Sequence, residues 1–133
     1  MGYTIKQVAE KVDLTAYTLR YYEKEGLLPF VERDEHGNRI FKENDIEWIT
    51  LICCLRDTGM SVGEIKRYVN LCIEGDETIE VRRKIILEHK QVVEQKIEQM
   101  KKYLVKIDKK LVFYDLAISK GVDTCNPNSK ANG

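Results

Sequence analysis

The 133-residue chain has few of the residues that mark several large classes of protein. It contains four cysteines, two prolines and one tryptophan. Cys53, Cys54, Cys72 and Cys125 form no C-x-x-C pair, and in a reducing compartment no disulfide framework is expected. No apolar run is long enough to cross a bilayer and no secretory signal opens the chain. We therefore expect a cytoplasmic protein with no membrane partner.

Signatures of catalysis are also missing. The sequence has no nucleophile with a base and an orienting partner, no glycine-rich phosphate loop and no carboxylate pair with a clear pocket. Of the two histidines, His36 falls in a turn where it would be solvated or touch a phosphate, and His89 is expected at a surface or interface. We expect no enzyme, no cofactor and no bound metal.

Two short capped helices are predicted near the start of the chain. Thr4 and Gln7 have the spacing of a capping box, and Thr15 can cap the second helix, which Gly26 ends. Apolar residues at helical spacing predict that the two helices pack together: Ile5, Val8, Ala9 and Val12 on the first, Leu19 and Tyr22 on the second.

A hairpin is predicted next. Residues 27–30 and 39–41 look like two strands around a turn at 34–38, with Arg33 and Arg39 on its flanks. Two helices joined by a tight turn and followed by such a wing are typical of proteins that read DNA in the major groove. Spacing alone leaves a second interpretation open, because many small helical domains have capped amphipathic helices and the Arg-Tyr-Tyr run can equally be an aromatic core edge.

The charge balance argues modestly against DNA binding. The first 60 residues hold 8 Lys and Arg against 11 Asp and Glu, although the whole chain is neutral. DNA binding would therefore depend on placing cations together on one face. The available cations are Lys6, Arg20, Lys24, Arg33, Arg39 and Lys42.

Two more helices are predicted at about 45–58 and 62–74, and Gly59 and Gly75 close them. Both begin with capping-box spacing, Asn44 with Glu47 and Ser61 with Glu64. Their apolar residues extend the core, namely Ile46, Ile49, Ile52, Cys53, Leu55, Ile65, Tyr68, Val69 and Cys72, with Trp48 and Leu51 on an adjoining face.

From residue 78 onward, apolar residues recur every seven positions, as in a coiled coil. A helix over 79–118 would be about 60 Å long at ~1.5 Å per residue and could not bury its own apolar stripe. We therefore expect a homodimer, since too little other chain exists to cover the stripe. The seam consists of Ile86, Val93, Ile97, Met100, Leu104, Ile107, Leu111, Tyr114 and Ile118, with Lys90 as its charged member.

The segments T-L-R-Y-Y-E and G-L-L-P, the Gly-Asn-Arg wing and the later G-M-S-V-G-E-I-K resemble the head of the MerR family of transcription regulators. Together the patterns predict a mainly α protein with three parts. These are a winged helix-turn-helix DNA-binding head with linker helices at 1–75, a coiled-coil dimerisation helix at 76–119 and a flexible tail at 120–133. The resemblance implies that the coiled coil is antiparallel.

The resemblance also implies a mechanism. Such dimers bind palindromic promoter elements with an over-long spacer, then bend and untwist the DNA so that RNA polymerase engages both promoter elements. Arg20, Tyr21, Arg33 and Arg39 would hold phosphates, and Thr15, Tyr17 and Thr18 would lie nearest the bases. The expected DNA-binding residues are Lys6, Thr15, Tyr17, Thr18, Arg20, Tyr21, Arg33, Asn38 and Arg39. The family commonly has Tyr where this chain has Phe41, so packing is expected there rather than a hydroxyl contact.

Cys54 is the candidate effector-sensing residue. The run C-L-R-D-T-G-M-S resembles the short-chain branch of aldehyde- and electrophile-responsive, AdhR- and NmlR-like regulators, in which a thiolate would add to a soft electrophile. An adduct where the head meets the long helix could tilt the heads. Sequence neighbours supply no positive charge on the face of Cys54, and a cysteine on an apolar helix is most often a packing residue. Packing therefore stays open as the alternative.

Three other functions stay open. Metal-sensing relatives typically have a cysteine at the start of the long helix and two in the loop after it, whereas this chain has none at 77–79 and only Cys125 later. Adjacent Cys53 and Cys54 point about 100° apart on a helix and cannot easily share one ion. A noncovalent ligand in the cleft between head and helix is a second possibility. A coiled-coil or antisigma-like adaptor, whose acidic head binds protein, is a third.

Overall fold

The computed structural model describes residues 2–121; Cys125 and residues 122–133 of the predicted tail lie outside this range. The described chain is mainly helical with a two-stranded wing and a long final helix, as predicted. It divides into two compact units, one ending at His89 and one beginning at Lys90. The elements are α1 (Ile5–Val12), α2 (Ala16–Lys24), β1 (Glu32–Arg33), β2 (Arg39–Ile40), α3 (Glu43–Asp57), α4 (Val62–Glu74), a 3-10 helix (Asp76–Thr78) and α5 (Ile79–Lys120).

The first two helices begin where the sequence predicts. The hydroxyl of Thr4 accepts from the Gln7 N–H at 3.2 Å, and the Gln7 side chain accepts from the Thr4 N–H at 2.8 Å. Thr15 caps α2 by accepting from the Thr18 N–H at 3.0 Å. Between the helices Asp13 adopts the left-handed conformation, with φ +56°, which Asp tolerates better than most side chains. The predicted helix-turn-helix is confirmed.

One core joins α1 to α4 within the first unit. Predicted residues of all four helices are fully buried, and Phe41 brings the wing into the same cluster. Tyr68 and Trp48 stack at the edge of this core with ring centroids 6.2 Å apart, and Phe30 meets Trp48 edge-on at 5.9 Å. The most deeply buried side chains are Val8, Leu19, Leu27, Phe41, Ile49, Ile52, Ile65 and Val69.

The prediction of a strand at 27–30 is wrong. The first strand is β1, and it pairs antiparallel with β2 so that Arg33 lies opposite Arg39. Leu27 and Leu28 are buried core residues instead, and the Leu27 carbonyl accepts from the Trp48 indole N–H at 2.7 Å. A short apolar run is compatible with a strand or with an irregular segment of the core. Here the run packs among the helices of the core, so it forms no strand.

The turn between the strands is confirmed. The Asp34 carboxylate accepts from the backbone N–H groups of His36 and Asn38, both at 2.9 Å, which closes the loop locally. Gly37 has φ +80°, a conformation that side chains rarely adopt. After β2, Phe41 forms an isolated bridge with Tyr3, whose hydroxyl donates to the carboxylate of Glu43.

The predicted capping box of Asn44 and Glu47 is wrong, whereas the cap of α4 is confirmed. Helix α3 starts at Glu43, and the Asp45 carboxylate accepts from the Lys42 N–H at 2.8 Å. The bridge with Tyr3 keeps Phe41 in an extended conformation. Lys42 then becomes the N-cap, the helix begins at Glu43, and Asn44 lies inside its first turn. The Ser61 hydroxyl accepts from the Glu64 N–H at 3.1 Å, and α4 has its predicted bounds.

Hydrogen bonds join the start of α5 to the rest of the first unit. The buried Thr78 hydroxyl donates to the carbonyls of Leu71 and Gly75 at 2.6 and 2.7 Å. The Arg82 guanidinium donates to the Thr78 hydroxyl at 3.0 Å and to the Gly75 carbonyl at 3.2 Å. Ile86, a predicted seam residue, is half-buried against the core of this unit.

The second unit, as far as it is described, is the remainder of α5. The helix has 42 residues, close to the predicted span of 79–118. From Ile97 onward the predicted seam residues are exposed, with Met100 at 68% and Ile107 at 63% of full exposure, while Val93 is half-buried. Lys90 pairs with Glu94 at 3.2 Å along the helix. None of the described helices is long and apolar enough to span a membrane.

Candidate nucleic-acid interface

Helix α2 has one buried face and one exposed face. Leu19 and Tyr22 are buried in the core. The opposite face carries the predicted base- and phosphate-contacting groups, and Tyr17 is 79% exposed. The hydroxyls of Thr15 and Thr18 lie 2.9 Å apart at the start of this face. Thr15, Arg20 and Tyr21 are also exposed, and Thr18 is half-buried.

A cleft of about 470 Å³ lies between α2, the wing and the start of α1. Arg20 lines it from α2, and Asn38 and Arg39 line it from the wing. Both arginines are cationic at any physiological pH, and the Asp34 carboxylate in the same wall is occupied by backbone N–H groups. The cleft is therefore suited to a chain of anionic groups such as a nucleic-acid backbone.

The two wing arginines share one carboxylate, which sequence reasoning missed. The Glu23 Oε1 atom accepts from Arg39 Nε at 2.5 Å and from an Arg33 terminal nitrogen at 3.2 Å. Arg33 also donates to the Gly37 carbonyl at 2.7 Å. Glu23 lies in the last turn of α2, where the helix dipole disfavours an acid. An acidic residue at this unfavourable position is the sequence signal that Glu23 has a partner elsewhere in the fold.

The remaining cations are less concentrated. Lys6 on α1 and Lys24 at the end of α2 are exposed. Lys42 pairs with Glu32 at 2.8 Å, and that hydrogen bond raises the pKa of Lys42 above its ordinary value. The cations that line the cleft are therefore Arg20 and Arg39, while Lys42 is held by the outer strand of the wing.

The adjacent cysteines of α3 have different surroundings. Cys54 is exposed, whereas Cys53 is half-buried against the core. Burial, followed by the nearby Asp57 charge, raises the pKa of the Cys53 thiol. Within this chain the packing role therefore belongs to Cys53. The third described cysteine, Cys72, is half-buried with its sulfur 3.7 Å from a terminal nitrogen of Arg82.

The turn that follows Cys54 is joined to α5 inside the first unit. The Thr58 hydroxyl donates to the Cys54 carbonyl at 2.6 Å and lies 2.7 Å from Nε2 of His89. His89 is thus half-buried in a contact with Thr58 rather than a simple surface residue. Among residues 2–121, no group of three or more His, Cys, Asp or Glu side chains is arranged to hold a metal ion.

Comparison with protein families gives two overlapping matches. The description "MerR HTH family regulatory protein" matches residues 3–72, and "MerR, DNA binding" matches residues 46–109. An HTH-type transcriptional regulator of Haemophilus influenzae is 46% identical over 121 residues, which are 91% of this chain and 90% of that protein. The HTH-type transcriptional regulator AdhR of Bacillus subtilis is 46% identical over 87 residues, 65% of this chain and 62% of AdhR.

Solved structures give the same result. A crystal structure of HiNmlR, described as a MerR family regulator lacking the sensor domain and bound to promoter DNA, is 46% identical with a TM-score of 0.87, covering 92% of this chain and 97% of HiNmlR. A MerR family transcriptional regulator from Bacillus thuringiensis is 42% identical with a TM-score of 0.78, covering 84% of this chain and 98% of that one. These relatives are transcription regulators and not enzymes, as expected. The chain belongs to the MerR family of helix-turn-helix regulatory proteins.

Proposed function

We propose that this MerR family regulator acts as a homodimer on a palindromic promoter element with an over-long spacer, which it bends and untwists for RNA polymerase. The observation that carries the proposal is the exposed face of α2 beside a cleft that holds Arg20 and Arg39. The HiNmlR structure, which is bound to promoter DNA, supports the choice of DNA as the partner.

The exposed groups divide by chemistry into two roles. Arginines bind phosphates strongly but carry no sequence information through those contacts, so Arg20, Arg33 and Arg39 would set the position and bend of the DNA. Hydroxyl and phenol groups at the start of α2 can reach base edges in a major groove. In this proposal Lys6, Tyr21 and Asn38 add backbone contacts, and Thr15, Tyr17 and Thr18 face the bases.

The proposed dimer rests on the apolar stripe of α5. Seven of its seam residues, from Ile97 to Ile118, are between 37% and 81% exposed. A contiguous apolar stripe of this kind normally marks an interface. An antiparallel pairing of two α5 helices would cover the stripe and set two heads on the two halves of a palindrome.

We further propose that the dimer responds to a small electrophile through Cys54. The exposed position of this cysteine on α3 allows a reagent to reach its sulfur. A thiolate there would form a C–S bond to the carbonyl carbon of an aldehyde as the C=O π bond breaks. The electron pair of that π bond goes to the oxygen, which takes up the proton that the thiol released. The hydrogen bonds from the Thr58 turn to Cys54 and His89 offer a route by which an adduct would affect α5.

The DNA part of the proposal is tested by Arg20→Ala and Arg39→Ala. We expect each variant to bind an operator duplex more weakly and to reduce the salt dependence by about one phosphate contact, a slope change of roughly 0.9 in log K against log salt. Fluorescence anisotropy at several salt concentrations measures both quantities. Arg83→Ala, an exposed arginine of α5, is the matched control and should change neither.

Unchanged affinity and slope in both variants would show that the map of phosphate contacts is wrong. If the parent itself selects no duplex from a random library in the presence of competitor DNA, the DNA function fails. A coiled-coil adaptor that binds protein would then be favoured.

A further inference from the structure

The wing is a small element whose two short strands supply little stability of their own. Each strand has two residues, and hairpins of this size are marginal in water. Its register sets Arg33 directly opposite Arg39, and like charges in that arrangement repel each other. A third group that accepts from both arginines would offset this repulsion.

Glu23 is that group. One oxygen of its carboxylate accepts from an arginine of each strand, at 2.5 and 3.2 Å, and its side chain is 21% exposed. The contact ties both strands of the wing to α2. The described bonds of Arg39 to this carboxylate use Nε alone, so its two terminal amino groups remain for other acceptors.

We propose that Glu23 is a specificity-determining positioning residue for DNA. Its carboxylate holds Arg33 and Arg39 in the geometry that operator phosphates require, and its negative charge disfavours DNA that does not engage the wing. The inference rests on the proposed phosphate contacts of these two arginines. It gives Glu23 opposite effects on the two kinds of complex, because positioning strengthens the specific one and charge weakens the nonspecific one.

Glu23→Gln tests the proposal, since glutamine keeps the size of the side chain but removes the charge. The probes are a duplex selected by the parent from a random library and a scrambled duplex of the same composition. We expect tighter binding to the scrambled duplex, weaker binding to the selected one, and a ratio of affinities that falls about tenfold, the effect of one charge-assisted hydrogen bond.

Glu35→Gln is the matched control. Glu35 lies at the tip of the wing with its side chain 87% exposed, and its described ion-pair contact is with His36 rather than with either arginine. Neutralising it should strengthen binding to both duplexes by a similar factor and leave the ratio unchanged. The same ratio in Glu23→Gln and Glu35→Gln would overturn the proposal, because Glu23 would then act as a surface charge only.

A double-mutant cycle tests whether Glu23 acts through Arg39. Arg39→Lys keeps the positive charge but lacks the Nε donor that binds Glu23. Adding Glu23→Gln to this variant should therefore lower the ratio of affinities for the selected and scrambled duplexes only a little further. If the two residues act independently, the two losses will add, and the proposal is wrong. Failure of the parent to select any duplex would instead refute the proposed DNA function on which the inference rests.

Discussion

Neighbouring residues of the same type can have different chemistry because a helix turns about 100° per residue. Cys53 points toward the core and Cys54 toward solvent. For Cys53, burial raises the pKa, so the reactive thiolate is a small fraction of this thiol at neutral pH. The sequence predicted Cys53 as a core residue, which the structure confirms, and left packing open for Cys54, which is exposed.

We predict that Cys54 is alkylated several-fold faster than Cys53 by iodoacetamide at pH 7. The thiolate of Cys53 forms only as the pH rises toward its raised pKa, so its alkylation rate should keep increasing above pH 8. Peptide mapping by mass spectrometry, at timed intervals and several pH values, measures both rates. Equal rates at pH 7 would contradict the assignment of the packing role to Cys53.

The sensing function is tested with the same pair of residues. Cys54→Ala should abolish promoter induction by aldehyde or quinone while leaving DNA binding intact, and Cys53→Ala should still respond. If the Cys54→Ala protein responds normally, the thiol hypothesis is wrong and a noncovalent ligand or a metal is favoured in its place.

At the scale of elements, the residue at which a helix begins depends on the conformation and contacts of the residues before it. Asn44 with Glu47 has the spacing of a capping box, yet α3 begins earlier, with Asp45 accepting from Lys42. The reason is tertiary, because the bridge between Phe41 and Tyr3 fixes the end of the extended segment. Where no such contact intervenes, as at Thr15, the cap predicted from sequence is confirmed.

We predict that Asp45→Ala lowers the free energy of unfolding by about 1 kcal/mol, because the Lys42 N–H loses its carboxylate partner and the helix dipole loses a favourable charge. Asn44→Ala should change it by less than about 0.5 kcal/mol, since alanine is the better helix former inside the first turn. Urea denaturation at one fixed protein concentration measures both. The reverse order would indicate that Asn44 caps the helix in solution.

At the scale of the whole molecule, the apolar stripe of α5 is the largest exposed apolar feature that the described residues show. The seam residue Leu104 is 55% exposed, and its neighbour Val105, off the seam, is 54% exposed. The exposed fraction of the side chain therefore does not show which of Leu104 and Val105 belongs to the seam. The heptad pattern does, because residues spaced by seven and by alternate three and four positions lie along one stripe of the helix, which a coiled-coil partner would cover.

We predict that Leu104→Glu weakens dimerisation about a hundredfold or more, because a charge in each copy would be buried without a partner. Val105→Glu introduces the same charge at an equally exposed position beside the seam and should weaken the dimer far less. Sedimentation equilibrium measures the association constants. Dissociation of both variants to the same extent would show that the interface is not the predicted seam.

The sequence by itself determined the features that depend on residues close together in the chain. Capping hydroxyls, the turn at 34–38 and the periods of 3.6 and 7 residues are local, so the five α-helices and the wing turn were predicted, although the short 3-10 helix was not. The motifs of the head also identified the family, which the comparisons confirm.

The tertiary structure decided what depends on contacts between distant segments. It placed Leu27 in the core rather than in a strand, moved the start of α3 to Glu43 and joined Glu23 to the two wing arginines. None of these follows from spacing, because an apolar run or an acidic residue is compatible with several environments. The free energy of packing and pairing across the fold selects one of them.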